Sequence, residues 1–138
     1  MDVSQFGIFE DKNVSASEFA NLMDSVGWGS EGDYDATLIE RSLTTYPFVA
    51  HARDQAGRLV GYVSAFSDGA FSTFLGELVV RPEAQRLGLG TELLKRVEQR
   101  YSGIPVYVHA FADAEEFFRL SGYRVSERPM QVLFKIPA

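Results

Sequence analysis

The sequence has no cysteine, which excludes disulfides, thiolate–zinc sites and thiol nucleophiles together. Histidine is nearly as scarce: His51 and His109 are the 2 present, far apart and without metal-ligand spacing, so no metal site is expected. Positive charge is short as well. Lys and Arg number 13 against 19 Asp and Glu, a net charge of −6, and the basic patch wanted for nucleic acid or an anionic membrane is missing. No uninterrupted apolar run approaches the ~18 residues of a membrane helix. The start, Met1-Asp2-Val3-Ser4-Gln5, has neither the basic flank nor the apolar run of a secretion leader. A cytoplasmic protein is expected, binding neither membrane nor nucleic acid. What is present is ordinary: 46% hydrophobic and 23% charged residues, a globular composition. The 138 residues are read as a single domain over 1–138.

The pattern along the chain sets the element order. A weak strand is expected over 5–10. Ser15-Ala16-Ser17-Glu18 is a capping box, and Phe19, Leu22, Met23 and Val26 follow at helical spacing up to a natural stop at Gly27. The stretch 28–35 is a Gly- and acid-rich loop, and a second helix is expected over 35–43. Strands over 48–53, 58–66 and 71–80 flank two glycine turns, at Gly57 and Gly69, and form an antiparallel meander. Arg81-Pro82 ends it, because proline cannot donate to a ladder. An amphipathic helix follows over 88–101, with Leu93, Leu94, Val97 and Tyr101 on one face. Next come a buried strand over 105–109 and a helix opened by Asp113 with Glu116. That helix turns Ala114, Phe117, Phe118 and Leu120 inward and stops at Gly122, before a final strand over 131–136. The order is that of an α+β or mixed α/β fold around one central sheet.

The segment from Val79 to Thr91 is the most informative. A buried strand stops at Pro82, a polar linker turns, and Gly88-Leu89-Gly90 opens an amphipathic helix. Helix starts carry unpaired amides and the positive end of the dipole, so an anion can be held there. Gly88 and Gly90 leave the backbone unshielded by Cβ atoms, and Arg86 adds a full charge. A nucleotide-hydrolase phosphate loop would need Gly-Lys-Ser/Thr, and Thr91 follows Gly90 with no Lys. A dinucleotide fingerprint would need glycine where Leu93 stands. On spacing alone, an anion site and a tightly packed helix start remain equally open.

Gln85-x-x-Gly88-x-Gly90, after a Val79-Val80-x-Pro82 strand end, resembles the acetyl-CoA signature of the GNAT superfamily of N-acetyltransferases. Phe117-Phe118-x-x-x-Gly122-Tyr123 resembles that family's second signature, in the family's order, and the element order also matches. Four shorter segments, Val26-Gly27-Trp28, Leu59-Val60-Gly61, Ser67-Asp68-Gly69-Ala70-Phe71 and Glu77-Leu78-Val79-Val80, are similar to a subgroup acting on small amines. The resemblance implies a mostly antiparallel, splayed central sheet flanked by helices, and acetyl-CoA as cosubstrate. It places pantetheine along Leu78, Val79 and Val80. The diphosphate would lie on the amides of Arg86, Leu87, Gly88, Leu89, Gly90 and Thr91, with Gln85 shaping the loop. Phe117 and Phe118 would flank the distal arm of the cofactor.

The implied reaction is direct transfer of acetyl to an amine. Glu77 is the first candidate for general base, an acid on an apolar strand read as alternating with Leu75 and Val79 on one face; its alternative is a strand Glu paired with a cross-strand cation. The strand amide at Val79 or Val80 is suited to the oxyanion. The family's thiolate-protonating tyrosine falls at Phe118, which has no proton to give; Tyr107, His109 and Tyr123 are substitutes that no spacing separates. Glu31, Asp33, Asp35 and Tyr34 lie in the loop that lines the acceptor site in this family, and with the net acidity they point to a cationic amine. Trp28, Phe71 and Phe74 could line an aromatic pocket or fill core, and His51 is read as structural. A small primary amine leads as the acceptor. A protein N-terminus or lysine, and a CoA-binding regulatory module without catalysis, are the alternatives, and a homodimer is compatible with the family.

Overall fold

The computed structural model describes residues 3–138, apart from the side chain of Glu31. Met1 and Asp2, at the start of the sequence, and the Glu31 carboxylate of the acidic loop lie outside the described residues. The chain divides into two compact units, Met1–Tyr107 and Val108–Ala138.

In the first unit one sheet runs in sequence order: β1 (Gly7–Phe9), β2 (Phe48–Arg53), β3 (Leu59–Ser67), β4 (Thr73–Val80) and β5 (Val106–Tyr107). Its pairings are antiparallel except β4 with β5. Turn chemistry sets the registers. Gly57, at φ 83°, turns β2 into β3, and the Asp68 carboxylate accepts from the amides of Ala70, Phe71 and Ser72 at 2.8, 2.8 and 3.1 Å to turn β3 into β4.

Two helices cover one face. α1 (Ala16–Ser25) opens on the expected capping box: Ser15 Oγ accepts from the Glu18 amide at 3.1 Å and Glu18 Oε1 from the Ser15 amide at 3.0 Å. It closes at Gly27, at φ 79°, with the Trp28 amide donating back to the Met23 carbonyl at 3.1 Å. α2 (Ala36–Thr45) starts one residue after Asp35, whose carboxylate accepts from the Thr37 and Leu38 amides. Phe19, Leu22, Met23, Ile39 and Leu43 from these helices are buried with Tyr62 and Val79 of the sheet. On the other face lies α3 (Leu89–Arg100), with Leu89, Leu93, Leu94 and Val97 buried. A Cβ on Gly61 would stand 3.0 Å from Leu93 Cδ1 and 3.3 Å from Leu89 Cδ2, so glycine lets α3 lie close on β3.

The second unit begins with one 3-10 turn, Ala112–Ala114, followed by α4 (Glu115–Leu120). The helix closes on Gly122, at φ 93°, with the Tyr123 amide donating to the Phe118 carbonyl at 2.9 Å.

Four expectations are corrected. Asp113 falls inside the 3-10 turn, too early to cap α4, whose first turn has no side-chain cap. Of the side chains expected inward, Phe118 is buried but Leu120 is 82% exposed. The strand over 105–109 shrinks to a half-exposed pair of residues, and 131–136 forms no strand. A strand exists only where a neighbour completes its ladder, and periodicity alone cannot supply that neighbour. The meander, by contrast, is observed with shifts of one or two residues at its ends. No helix among the described residues is long and apolar enough to cross a membrane.

Candidate active site

The site grows from an irregularity in β4. Its register with β3 holds from Gly61↔Val80 to Val63↔Leu78 and resumes, displaced by one, at Ala65↔Leu75. Ser64 therefore faces two residues, Gly76 and Glu77, which is a β-bulge. The extra residue reverses the alternation. Leu75 shares a face with Ala65 and Val79 shares one with Tyr62, so Leu75 and Val79 lie on opposite sides of the sheet. The expected single face carrying Leu75, Glu77 and Val79 does not form.

The bulge takes the Glu77 amide out of the ladder and gives it to Ser64 Oγ at 3.0 Å. The same hydroxyl donates back to Glu77 Oε2. Burial pushes the Glu77 carboxyl above its usual range, and the Ser64 bond pulls it partly back. Tyr46 and Tyr62 crowd the cluster. A Cβ on Gly76 would stand 2.6 Å from both Ser64 Oγ and Tyr46 Cζ, so only glycine fits between them. Burial and the neighbouring Glu77 raise the titration of both phenols.

Glu77 lines a cavity of about 320 Å³ together with Phe19, Met23, Trp28, Asp33, Tyr34, Asp35, Leu38, Ile39 and Ser42. Trp28 and Tyr34 both line it, and the Tyr34 hydroxyl donates to the Trp28 carbonyl across the loop. Phe71 is corrected: it is 81% exposed on the β3–β4 turn and is not among the cavity's lining residues. Phe74 stacks between Phe66 and Tyr107 on the surface, at 5.4 and 5.6 Å. Among the acids, Asp33 accepts from the Ser30 amide at 2.9 Å while Asp35 caps α2, so both have structural work beside the cavity. His51 is 2% exposed, bonds Asp11 at 2.7 Å and lies under Phe9.

Downstream of the bulge, β4 offers an unpaired edge. Among the described residues, β5 pairs with it at Thr73 and Phe74. The Arg81 amide donates to the Val60 carbonyl at 2.8 Å. In an antiparallel ladder bonding alternates, so the Val79 amide also points at β3, whereas those of Leu78 and Val80 point to the open side. This corrects the reading of Val79 as oxyanion donor. Its side chain is core, 2% exposed. The Val80 carbonyl, also on the open side, receives Gln85 Nε2 at 2.9 Å, which folds the linker against the strand end. Buried Arg81 fixes that end, with Nε on the Leu59 carbonyl at 3.1 Å and Nη2 on Asn21 at 2.8 Å.

The chain then turns through two left-handed residues, Arg86 at φ 64° and Gly88 at φ 86°. Such a bend gathers successive amides into a concave anion cradle. A left-handed arginine carries strain of the sort concentrated at functional sites. Leu89, Gly90 and Thr91 form the first turn of α3, which no side chain caps. Their amides are free to meet an anion, and Leu87 completes the bend. Phe117 and Phe118 belong to the second unit, where they pack at 5.1 Å, with Phe118 on Tyr123 at 5.4 Å. Sequence reasoning missed Ser64, Tyr46 and Gly76. The signals were a hydroxyl in the apolar run Tyr62-Val63-Ser64-Ala65-Phe66 and a lone glycine inside a strand.

Comparison with known proteins identifies the family. A family model described as an acetyltransferase (GNAT) domain matches residues 36–133. An uncharacterized N-acetyltransferase, ycf52 of Porphyra purpurea, is 30% identical over 81% of this chain and 66% of its own length. The chain therefore spans about 66% of the curated relatives it matches first. A GNAT family acetyltransferase from Streptococcus pneumoniae superposes with a TM-score of 0.73 at 21% identity, over 94% of this chain and 98% of that one. An aminoglycoside acetyltransferase from an uncultured soil metagenomic sample gives 0.73 at 18% identity, over 98% and 99%. At these identities the two structures share the fold, and it is the family model that decides membership: the chain belongs to the GNAT acetyltransferase family.

Proposed function

We propose that residues 1–138 work as one acetyl-CoA-dependent N-acetyltransferase domain whose acceptor is a small primary amine. The observation that carries the reading is the bulge. It sets a half-buried carboxylate, Glu77, at the wall of a surface pocket, beside the strand end that leads into the bend before α3. The pantetheine arm pairs with the Leu78 and Val80 amides, and the diphosphate rests on the bend from Arg86 to Thr91. The amine enters between Trp28, Tyr34 and Ile39. Glu77 takes its proton as nitrogen attacks the thioester carbonyl, and a strand amide on the open side, Leu78 or Val80, receives the oxyanion. The carbon–sulfur bond then breaks and coenzyme A leaves as thiolate. A thiolate leaves readily enough to need no acid, which suits Phe118.

A small acceptor is favoured over a protein tail by the loop over 28–35, which walls the cavity with Trp28 and Tyr34. Phe118 favours the second reading, a coenzyme A-binding module without turnover. Calorimetry with acetyl-CoA and thiol release over a panel of primary amines and peptides separate the cases. Release of coenzyme A with small amines supports the proposal; binding without release overturns it in favour of the module.

A further inference from the structure

We propose that Ser64 is the positioning residue of the catalytic carboxylate, holding Glu77 at the bulge. The inference rests on Glu77 acting as base in the function proposed above. Ser64 is fully buried, where a hydroxyl is costly unless its bonds are made. Both of its strong bonds go to one residue: it accepts from the Glu77 amide at 3.0 Å and donates to Glu77 Oε2. Accepting on one side commits its hydrogen to the carboxylate on the other. A strand carboxylate with free χ angles would search several rotamers; gripped at backbone and side chain, it keeps one. Behind Ser64 the Tyr46 ring packs over Gly76, its phenol facing Glu77. A hydrogen bond given to a charged group is stronger than one given to a neutral group. The beneficiary is the ionised form, the form a base requires and the one that burial disfavours.

Other titratable groups facing Glu77 are the Tyr62 phenol on β3 and, across the cavity, Asp33, Tyr34 and Asp35. They stay constant in the variants compared. The test follows the Glu77 carboxyl by carbon-13 NMR of glutamate-labelled protein, its signal assigned with Glu77→Gln, in the parent, Ser64→Ala and Ser64→Cys. Ser64→Cys fills the site with a weak donor of similar shape should Ser64→Ala fold poorly. Expected is titration at higher pH in Ser64→Ala and, by less, in Ser64→Cys. With turnover, the acidic limb of kcat/KM moves the same way. On that limb Ser64→Ala falls roughly tenfold or more, the worth of one hydrogen bond to a charged group, while the alkaline plateau changes little. An unmoved Glu77 titration in both variants, or a loss uniform across pH, overturns the inference. If the parent releases no thiol with any amine, the proposed function fails instead, and the carboxyl titration still decides for or against the Ser64 bond.

Discussion

At the scale of single residues, the site depends on Glu77 and on what surrounds it. Replacing it by Gln should lower kcat by about 10²–10⁴-fold, measured by thiol release at saturating amine. The same change should raise the melting temperature at neutral pH. A carboxyl whose titration is raised in the folded state contributes stability below its unfolded value and loses it as pH rises through the folded one. An uncharged amide escapes that loss. Gly76→Ala tests the bulge itself: the new methyl meets Ser64 and Tyr46, so about 1–3 kcal/mol should be lost in denaturant unfolding, along with alignment of the base. Glu77 was legible because an acid interrupts an apolar strand, but the alternation used to place it was not. A bulge needs two strands to exist, and a pattern read along one strand cannot register it. Phe71 failed for a similar reason, since its place in the sequence carries no information about which way a turn aims a ring.

Elements come next. The capping box of α1, the stop at Gly27 and both meander turns were legible because each is local chemistry acting within a few residues. β5 and the expected strand over 131–136 were not, because a strand is a contract between distant segments. Ser15→Ala should cost about 0.5–2 kcal/mol of stability, read as a shift in the urea midpoint at constant slope. The bend before α3 predicts a separate effect. Gly88, at φ 86°, cannot take a branched side chain without strain. Gly88→Val should therefore weaken coenzyme A binding in calorimetry more than it alters kcat at saturating cosubstrate. Arg86→Ala should weaken it less, and with reduced salt dependence, since what is lost is a surface charge.

For the molecule as a whole, one ion pair joins the first helix to the sheet. Arg53 Nη1 meets Glu18 Oε2 at 2.6 Å, and this guanidinium holds the Glu18 carboxyl down to about 2 from the usual 4.5. A depressed carboxylate contributes stability above its unfolded value and loses it as pH falls through the folded one. Denaturant midpoints should therefore drop between pH 4.5 and 2, and Glu18→Gln should flatten that drop. The overall plan was legible because its signatures, motif order and turn spacing survive in one dimension; the partnership between Glu18 and Arg53 did not, lying 35 positions apart. The half-zipped margin of β4 has a last consequence. Bare peptide groups along a strand invite any extended chain to dock on them, another copy's included. The arm that the proposal lays there would act as a sheath: purified without it, the protein should clump faster on storage, and added coenzyme A should slow the rise in light scattering.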